Sequence, residues 1–169
     1  MKSRVKWLYA VLAVAVAVWA YDQWNSDRRR IGRQLSRLQS LVEKDGDENA
    51  LSQASRAAEV GELLTAAFEI QLGPFSTAVT DRARLSQVMY QYRSRASRIG
   101  VDFRDQELTI DDRLRIGDMT VVAAIDGTAD GGLYREAYRF RIRWVVEGKE
   151  WRMQRVELLE VLEGSPGLF

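Results

Sequence analysis

Hydrophobic and polar positions divide this chain into stretches of different period. From Trp7 to Tyr21 no charged residue occurs, and the apolar run predicts a helix that partitions into a bilayer. Ile31, Leu35, Leu38 and Val42 then recur at alternating spacings of four and three, the stripe of an amphipathic helix that Trp24 extends upward. Lys44-Asp45-Gly46-Asp47 breaks this helix. A second is expected from about Asn49 into Leu64, with Ala54, Ala57, Ala58 and Val60 as its packing face. Phe68-Glu69-Ile70-Gln71-Leu72 alternates and predicts a short strand ended by Gly73-Pro74. Thr80 or Asp81 can cap a third helix, in which Leu85, Val88, Met89, Tyr92 and Ile99 share one face and Gly100 takes the left-handed end. Its other face carries Arg82, Arg84, Arg93, Arg95 and Arg98 and reads as solvated.

From Val101 the period changes to two. Strands are predicted near Val101 to Ile110, Arg115 to Gly127, Tyr134 to Val146 and Glu150 to Leu162. In the third of these, Tyr134, Tyr138, Phe140, Ile142, Trp144 and Val146 point one way; Arg135, Arg139, Arg141 and Arg143 point the other. Gly148-Lys149 suits a tight hairpin that sets Val146 opposite Trp151 and Trp144 opposite Met153. Beyond Met153 the apolar parity slips to Val156 and Leu158. One extra residue near Gln154 and Arg155 restores it, a β-bulge that sets Ile142 opposite Val156 and Arg141 opposite Glu157. A turn at Asp130-Gly131 brings Met119, Val121 and Ala123 to Ile142, Phe140 and Tyr138, and the same register sets Arg143 against Asp118 and Arg135 against Asp126.

The amino-terminal run follows Met1-Lys2-Ser3-Arg4-Val5-Lys6. Its basic side chains resist translocation, so the amino end is expected in the cytoplasm and the remainder outside it, periplasmic in a Gram-negative cell. Val18-Trp19-Ala20 has the small residues of a cleavage site. Trp7, Tyr9, Trp19, Tyr21 and Trp24 bracket the run at both ends, as an interfacial belt does, and Val5 to Trp24 reaches a spanning length of about 20 residues. We therefore read a single-pass signal-anchor held in the bilayer through residues 5–24, with cleavage after Ala20 as the alternative. Arg28-Arg29-Arg30 then lies among headgroups.

With 169 residues, about 25 of them in that segment, one domain of roughly 120 to 140 residues remains. The chain has 25 basic and 24 acidic residues and a formal charge of +1, so no net field argues for nucleic acid. It contains no Cys and no His. That excludes disulfides, thiol catalysis, His triads, His bases and the usual zinc sites together. No metal or cofactor motif occurs; Asp111-Asp112 and Asp126 lack ligand spacing and read as turn residues.

Two or three helices, a short strand, another helix and four long antiparallel strands resemble the NTF2-like superfamily (SnoaL-like, cystatin-like α+β roll). The resemblance covers about Ser26 to Leu162. Its more specific pieces are Tyr134 to Trp144 and Trp151-Arg152-Met153 of the closing hairpin. Arg28-Arg29-Arg30-Ile31 after the anchor is similar to bacterial membrane-tethered members. The resemblance implies an α+β fold: an N-terminal transmembrane helix, then an NTF2-like cone of about three helices packed on a bent antiparallel sheet. The expected divisions are an anchor over 1–25, the cone over 26–163 and a tail over 164–169. Enzymes of the superfamily keep Asp, His or Tyr inside the cone. Other members are non-catalytic transport factors or subunits of secretion and lipid-transport systems.

The inner face would gather Phe68, Met89, Tyr92, Tyr138, Phe140, Ile142 and Trp144, either as filled core or as an apolar pocket with phenols to orient a ligand. Glu136 shares their parity. Beside Tyr138 it could serve as a general base, although its place near the strand start predicts an exposed carboxylate. The outer row Arg135, Arg139, Arg141 and Arg143 could meet an acidic partner or anionic headgroups, or pair with Asp118, Asp126 and Glu157 on neighbouring strands. The expectation is a non-enzymatic, membrane-anchored module that binds another membrane or extracytoplasmic protein, or itself. The alternative is a small apolar ligand-binding or proton-transfer protein using the cone.

Overall fold

The computed structural model describes residues 2–73, 78–129 and 131–164, with the side chains of 2–11, 15 and 17–25 outside the description. Pro74, Asp130 and the tail 165–169 lie outside the described residues, as do the belt side chains Trp7, Tyr9, Trp19, Tyr21 and Trp24. The first helix, α1, runs without a break over Lys2–Val42, so the apolar run and the domain's first amphipathic helix are one element. Among the described residues no helix is long and apolar enough to cross a membrane. Within the domain α1 buries Ile31 and Leu35, as its stripe predicts; Leu38 and Val42 are only partly buried, and Leu41, outside the stripe, is buried instead.

Lys44–Asp45 forms a two-residue strand, β1, and Gly46 supplies the positive φ of 76° at which the chain turns away. Helix α2 spans Ala50–Glu62, capped by the Asn49 side chain accepting from Ser52 N. Its buried face is Gln53, Ala57, Val60 and Gly61; Ala54 and Ala58 are exposed, a correction to the expected packing face. Strand β2, Leu64–Gln71, begins four residues before Phe68. Asp81 caps α3, Arg82–Arg95, by accepting from the backbone of Ala83 and Arg84.

The predicted end of α3 is wrong. The helix stops at Arg95 and β3 starts at Ala96 (Ala96–Asp111), so Ile99 and Gly100 are strand residues. Ile99 fits both periods, and the longer-range pairing decides. Gly100 backs onto Asp126, where a Cβ would stand 3.0 Å from its carboxylate.

Strands β4 (Ile116–Ala129), β5 (Gly132–Glu147) and β6 (Glu150–Glu163) complete the sheet. The order is β1-β3-β4-β5-β6-β2. All neighbours are antiparallel except β2, which runs parallel to β6, so the sheet is mixed where an antiparallel one was expected. The β4–β5 register pairs Met119, Val121 and Ala123 with Ile142, Phe140 and Tyr138, and the closing hairpin pairs Val146 with Trp151 and Trp144 with Met153, as the turn residues dictate. The extra residue is Gln154, between the pairs Trp144–Met153 and Arg143–Arg155. Two further bulges on β6, and one on β3 where Asp105 adopts φ 50°, deepen the bend. The helices cover the concave face over a core that includes Ile31, Leu64, Val121, Ile142, Trp144 and Met153.

Candidate ligand cavity and tyrosine network

The bent sheet and α3 do not close completely on each other. Between them lies a cavity of about 240 Å³, walled by Leu38, Val60, Leu85, Met89, Phe103, Phe140 and Ile142, among others, with Tyr92 and Arg93 on the α3 side. Met89, Tyr92 and Phe140 are therefore on the wall as the parity predicted. Trp144 is not: it is 0 % exposed within the core cluster, its indole N–H without a hydrogen-bond partner among the described residues. Phe68 is likewise core.

Next to the cavity the phenols form a network. Tyr92 and Tyr134 share a hydrogen bond of 3.2 Å between hydroxyls, and Tyr138 donates to Glu136 Oε2 at 2.9 Å. Glu136 is 4 % exposed, which corrects the exposed carboxylate expected near a strand start. Gly164, at φ 102°, packs so closely that a Cβ there would sit 2.9 Å from Glu136 Cγ. Gly127 makes room for Tyr134, whose hydroxyl a Cβ would meet at 2.6 Å. Burial is the main cause that pushes all three phenols up. The hydrogen bond to Glu136 raises Tyr138 further, and that to Tyr134 raises Tyr92 further. They are neutral donors and acceptors at ordinary pH. Glu136 and Tyr138 do not line the cavity.

The solvated face read on α3 is overturned at Arg93, which is 1 % exposed. Its guanidinium donates to the carbonyls of Leu41, Val42 and Glu43 at 3.0, 2.6 and 3.3 Å and pairs with Glu48. It thus satisfies the last carbonyls of α1, where a cation is also favoured by the helix dipole. Buried Lys44 does the same for α3, donating to the carbonyls of Arg93 and Ala96 at 2.9 and 2.7 Å. Each helix end is closed by a cation from the other segment. Arg93 stands eight residues after Leu85 and four after Met89, in phase with the buried side, and that phase was the available signal.

On the convex face, Arg139 pairs with Glu160 at 2.6 Å, Arg141 with Glu157 at 3.6 Å and Arg143 with Asp118 at 3.0 Å. Arg135 stands opposite Asp126 in register; no ion pair joins them among the described residues. No group of acidic side chains could hold a metal ion among the described residues.

No family model matches the sequence and no curated protein matches it, but solved structures share the fold. An NTF2-like protein with a cystatin-like fold from Novosphingobium aromaticivorans superposes with a TM-score of 0.67 at 15 % identity, over 89 % of this chain and 92 % of that one. A proposed scytalone dehydratase from the same organism gives 0.68 at 11 % identity, over 85 % and 89 %. A proposed dehydratase of the NTF2-like family from Streptomyces avermitilis gives 0.63 at 9 %, over 82 % and 99 %. The chain has the α+β NTF2-like fold, and at these identities the likeness is one of fold.

Proposed function

We propose that this chain is a membrane-tethered binding protein for a small, largely apolar molecule held between α3 and the concave face of the sheet. The observation that carries this reading is the cavity of about 240 Å³ with its apolar walls. An apolar cavity of about 150 Å³ already takes up benzene, whereas drug-sized ligands occupy about 300 Å³ or more. The volume here fits a fused bicyclic ring or a medium hydrocarbon chain. No polar atom of the described residues faces the space, so such a molecule would be held by apolar contact alone.

The partner-binding reading is weaker on the convex face. An acidic partner would displace carboxylates already paired with Arg139, Arg141 and Arg143, exchanging one exposed ion pair for another with little net gain. A proton-transfer reading, in line with the two proposed dehydratases of this fold, would run through the Tyr138–Glu136 pair. That pair lies off the wall and under Gly164.

The tether is the amino-terminal part of α1. Its uncharged run is continuous with the domain, and Leu12, Val14 and Val16 are exposed, as side chains facing lipid would be. The tethered domain would lie outside the cytoplasm. Native mass spectrometry of the full chain released from membranes should find a small apolar molecule retained at one copy per chain. A domain that is always empty, and that takes up neither naphthalene nor octane when offered, contradicts the reading.

A further inference from the structure

Resting on the tether reading, we propose that the β3–β4 turn and the β5–β6 turn, together with the arginines of α1, form a collar that seats the domain on the anionic headgroups of the bilayer holding α1. The side chains of α1 lock it against one end of the sheet. Asp27 accepts from Trp151 Nε1 at 3.0 Å, Arg28 donates to the Leu108 carbonyl at 2.8 Å and Ile31 packs beside Gly117. Further along, Gln39 donates to the Val101 carbonyl, so α1 runs alongside β3 with its amino end leaving past the β3–β4 turn. Three strand residues beyond Leu108 add roughly 10 Å, the rise of about seven helical residues. That brings the turn level with about Tyr21, the end of the uncharged run.

The turn is built to present an apolar tip between cations. Asp111 Oδ1 accepts from the backbone of Arg113 and Leu114 at 2.9 and 3.0 Å, and Arg115 is held at φ 54°, an unusual conformation for this residue type. Leu114 is 68 % exposed between Arg113 and Arg115. Exposed Lys149 stands on the neighbouring β5–β6 turn, and Arg28, Arg29, Arg30 and Arg33 surround the helix as it leaves. Most nearby carboxylates are engaged: Asp27 with Arg30 and Trp151, Glu147 and Glu150 with Arg152, and Asp111 within the turn. Among the described residues Asp112 and Glu107 join no ion pair, and Asp22 follows Tyr21 on α1. Basic side chains around an exposed leucine, at the level where a bilayer-inserted helix emerges, match an anionic interface.

The chain has no cysteine, so single labels are readily placed. Leu114→Cys and Leu133→Cys would each be labelled with bimane in the full chain and reconstituted into phosphatidylcholine vesicles with or without phosphatidylglycerol. Leu133, on β5, is 90 % exposed and pairs with Thr128 at the far end of β4, up to roughly 40 Å away along the strand. Flotation with the vesicles reports the tether. Quenching by shallow spin-labelled lipid reports the collar. The expected result is several-fold stronger quenching at 114 than at 133, increased by phosphatidylglycerol and reduced by Arg113→Glu with Arg115→Glu. Chains that float yet show equal or no quenching at 114 overturn the collar and leave the tether standing. Chains that fail to float overturn both.

Discussion

Alternate residues of β5 face two different worlds, and the two faces are held by different physics. Toward the helices, Tyr138, Ile142 and Trp144 are almost completely buried, and their contribution comes from surface removed from water. Away from the helices, Arg139, Arg141 and Arg143 stay about half exposed, each paired with a carboxylate on β4 or β6. Exposed pairs of this kind contribute at most about 1 kcal/mol each. The more conspicuous pattern in the sequence, the arginine ladder, is thus the lesser one in energy. Where a cation is buried, as at Arg93, removing it leaves its buried partners unpaired and the expected cost is larger.

The comparison is broken most severely by deleting Arg141 from the regular strand β5. Phe140 and Ile142 would then be neighbours on opposite faces, so one side of the strand takes the wrong face or the pairing slips, at a cost of several kcal/mol. That variant should lose its cooperative melting transition. Deleting the bulge residue Gln154, by contrast, leaves Met153, Val156 and Leu158 in register with Trp144, Ile142 and Phe140 and should be tolerated far better; equal damage from both deletions would refute the bulge. Trp144→Ala removes the largest buried side chain and should cost about 3 to 5 kcal/mol in urea unfolding. Arg93→Met should cost a similar amount, about 3 to 5 kcal/mol, because Glu48 and the carbonyls ending α1 lose their donor. A loss below about 1 kcal/mol would return Arg93 to the rank of the exposed arginines.

Tyr138→Phe leaves Glu136 buried without its phenol and should destabilise by about 1 to 3 kcal/mol. It also tests the pH dependence. With the folded pKa raised above the ordinary value of 10.0, the unfolded chain releases the tyrosine proton first as pH rises. Stability is therefore fully present below about pH 10 and falls above it, by roughly 1.4 kcal/mol per pH unit for each such tyrosine while the folded form keeps its proton. Melting temperatures from pH 8 to 11 should fall less steeply in Tyr138→Phe than in wild type; parallel curves would remove Tyr138 from the account. The smallest effect belongs to Arg139→Glu with Arg141→Glu, which sets like charges against Glu160 and Glu157. It should cost on the order of 1 kcal/mol, diminishing in high salt. A loss as large as that of Trp144→Ala would mean that the two faces are not so different.

Much of the sheet was legible because its turns are short and its parity is strict. Gly148-Lys149 and the slip after Met153 are enough to set the β5–β6 pairing and its first bulge. The later bulges at Leu159 and Leu162 left no such trace, since Leu158, Leu159, Val161 and Leu162 are apolar on both parities. The join of α3 to β3 was hidden because Ile99 suits either period, and the parallel partner of β2 is fixed only by tertiary packing. Of the candidate site, the wall residues Met89, Tyr92 and Phe140 follow from periodicity. Burial of Glu136 depends on Gly164 folding over it, and the open space depends on how far the bent sheet stands from α3; neither distance is written in a local pattern.

Naphthalene binding to the wild type and to Ala123→Leu tests the central claim most directly. Ala123 is a buried wall residue, and leucine adds three carbons where there is room for them. The account predicts saturable one-to-one binding by the wild type. In the variant it predicts a larger side chain accommodated with no loss of melting temperature, and binding weakened at least about tenfold, or 1.4 kcal/mol. No binding by the wild type, together with the destabilisation of about 1 to 3 kcal/mol typical of overpacking, would contradict it and leave the concave face as filled core.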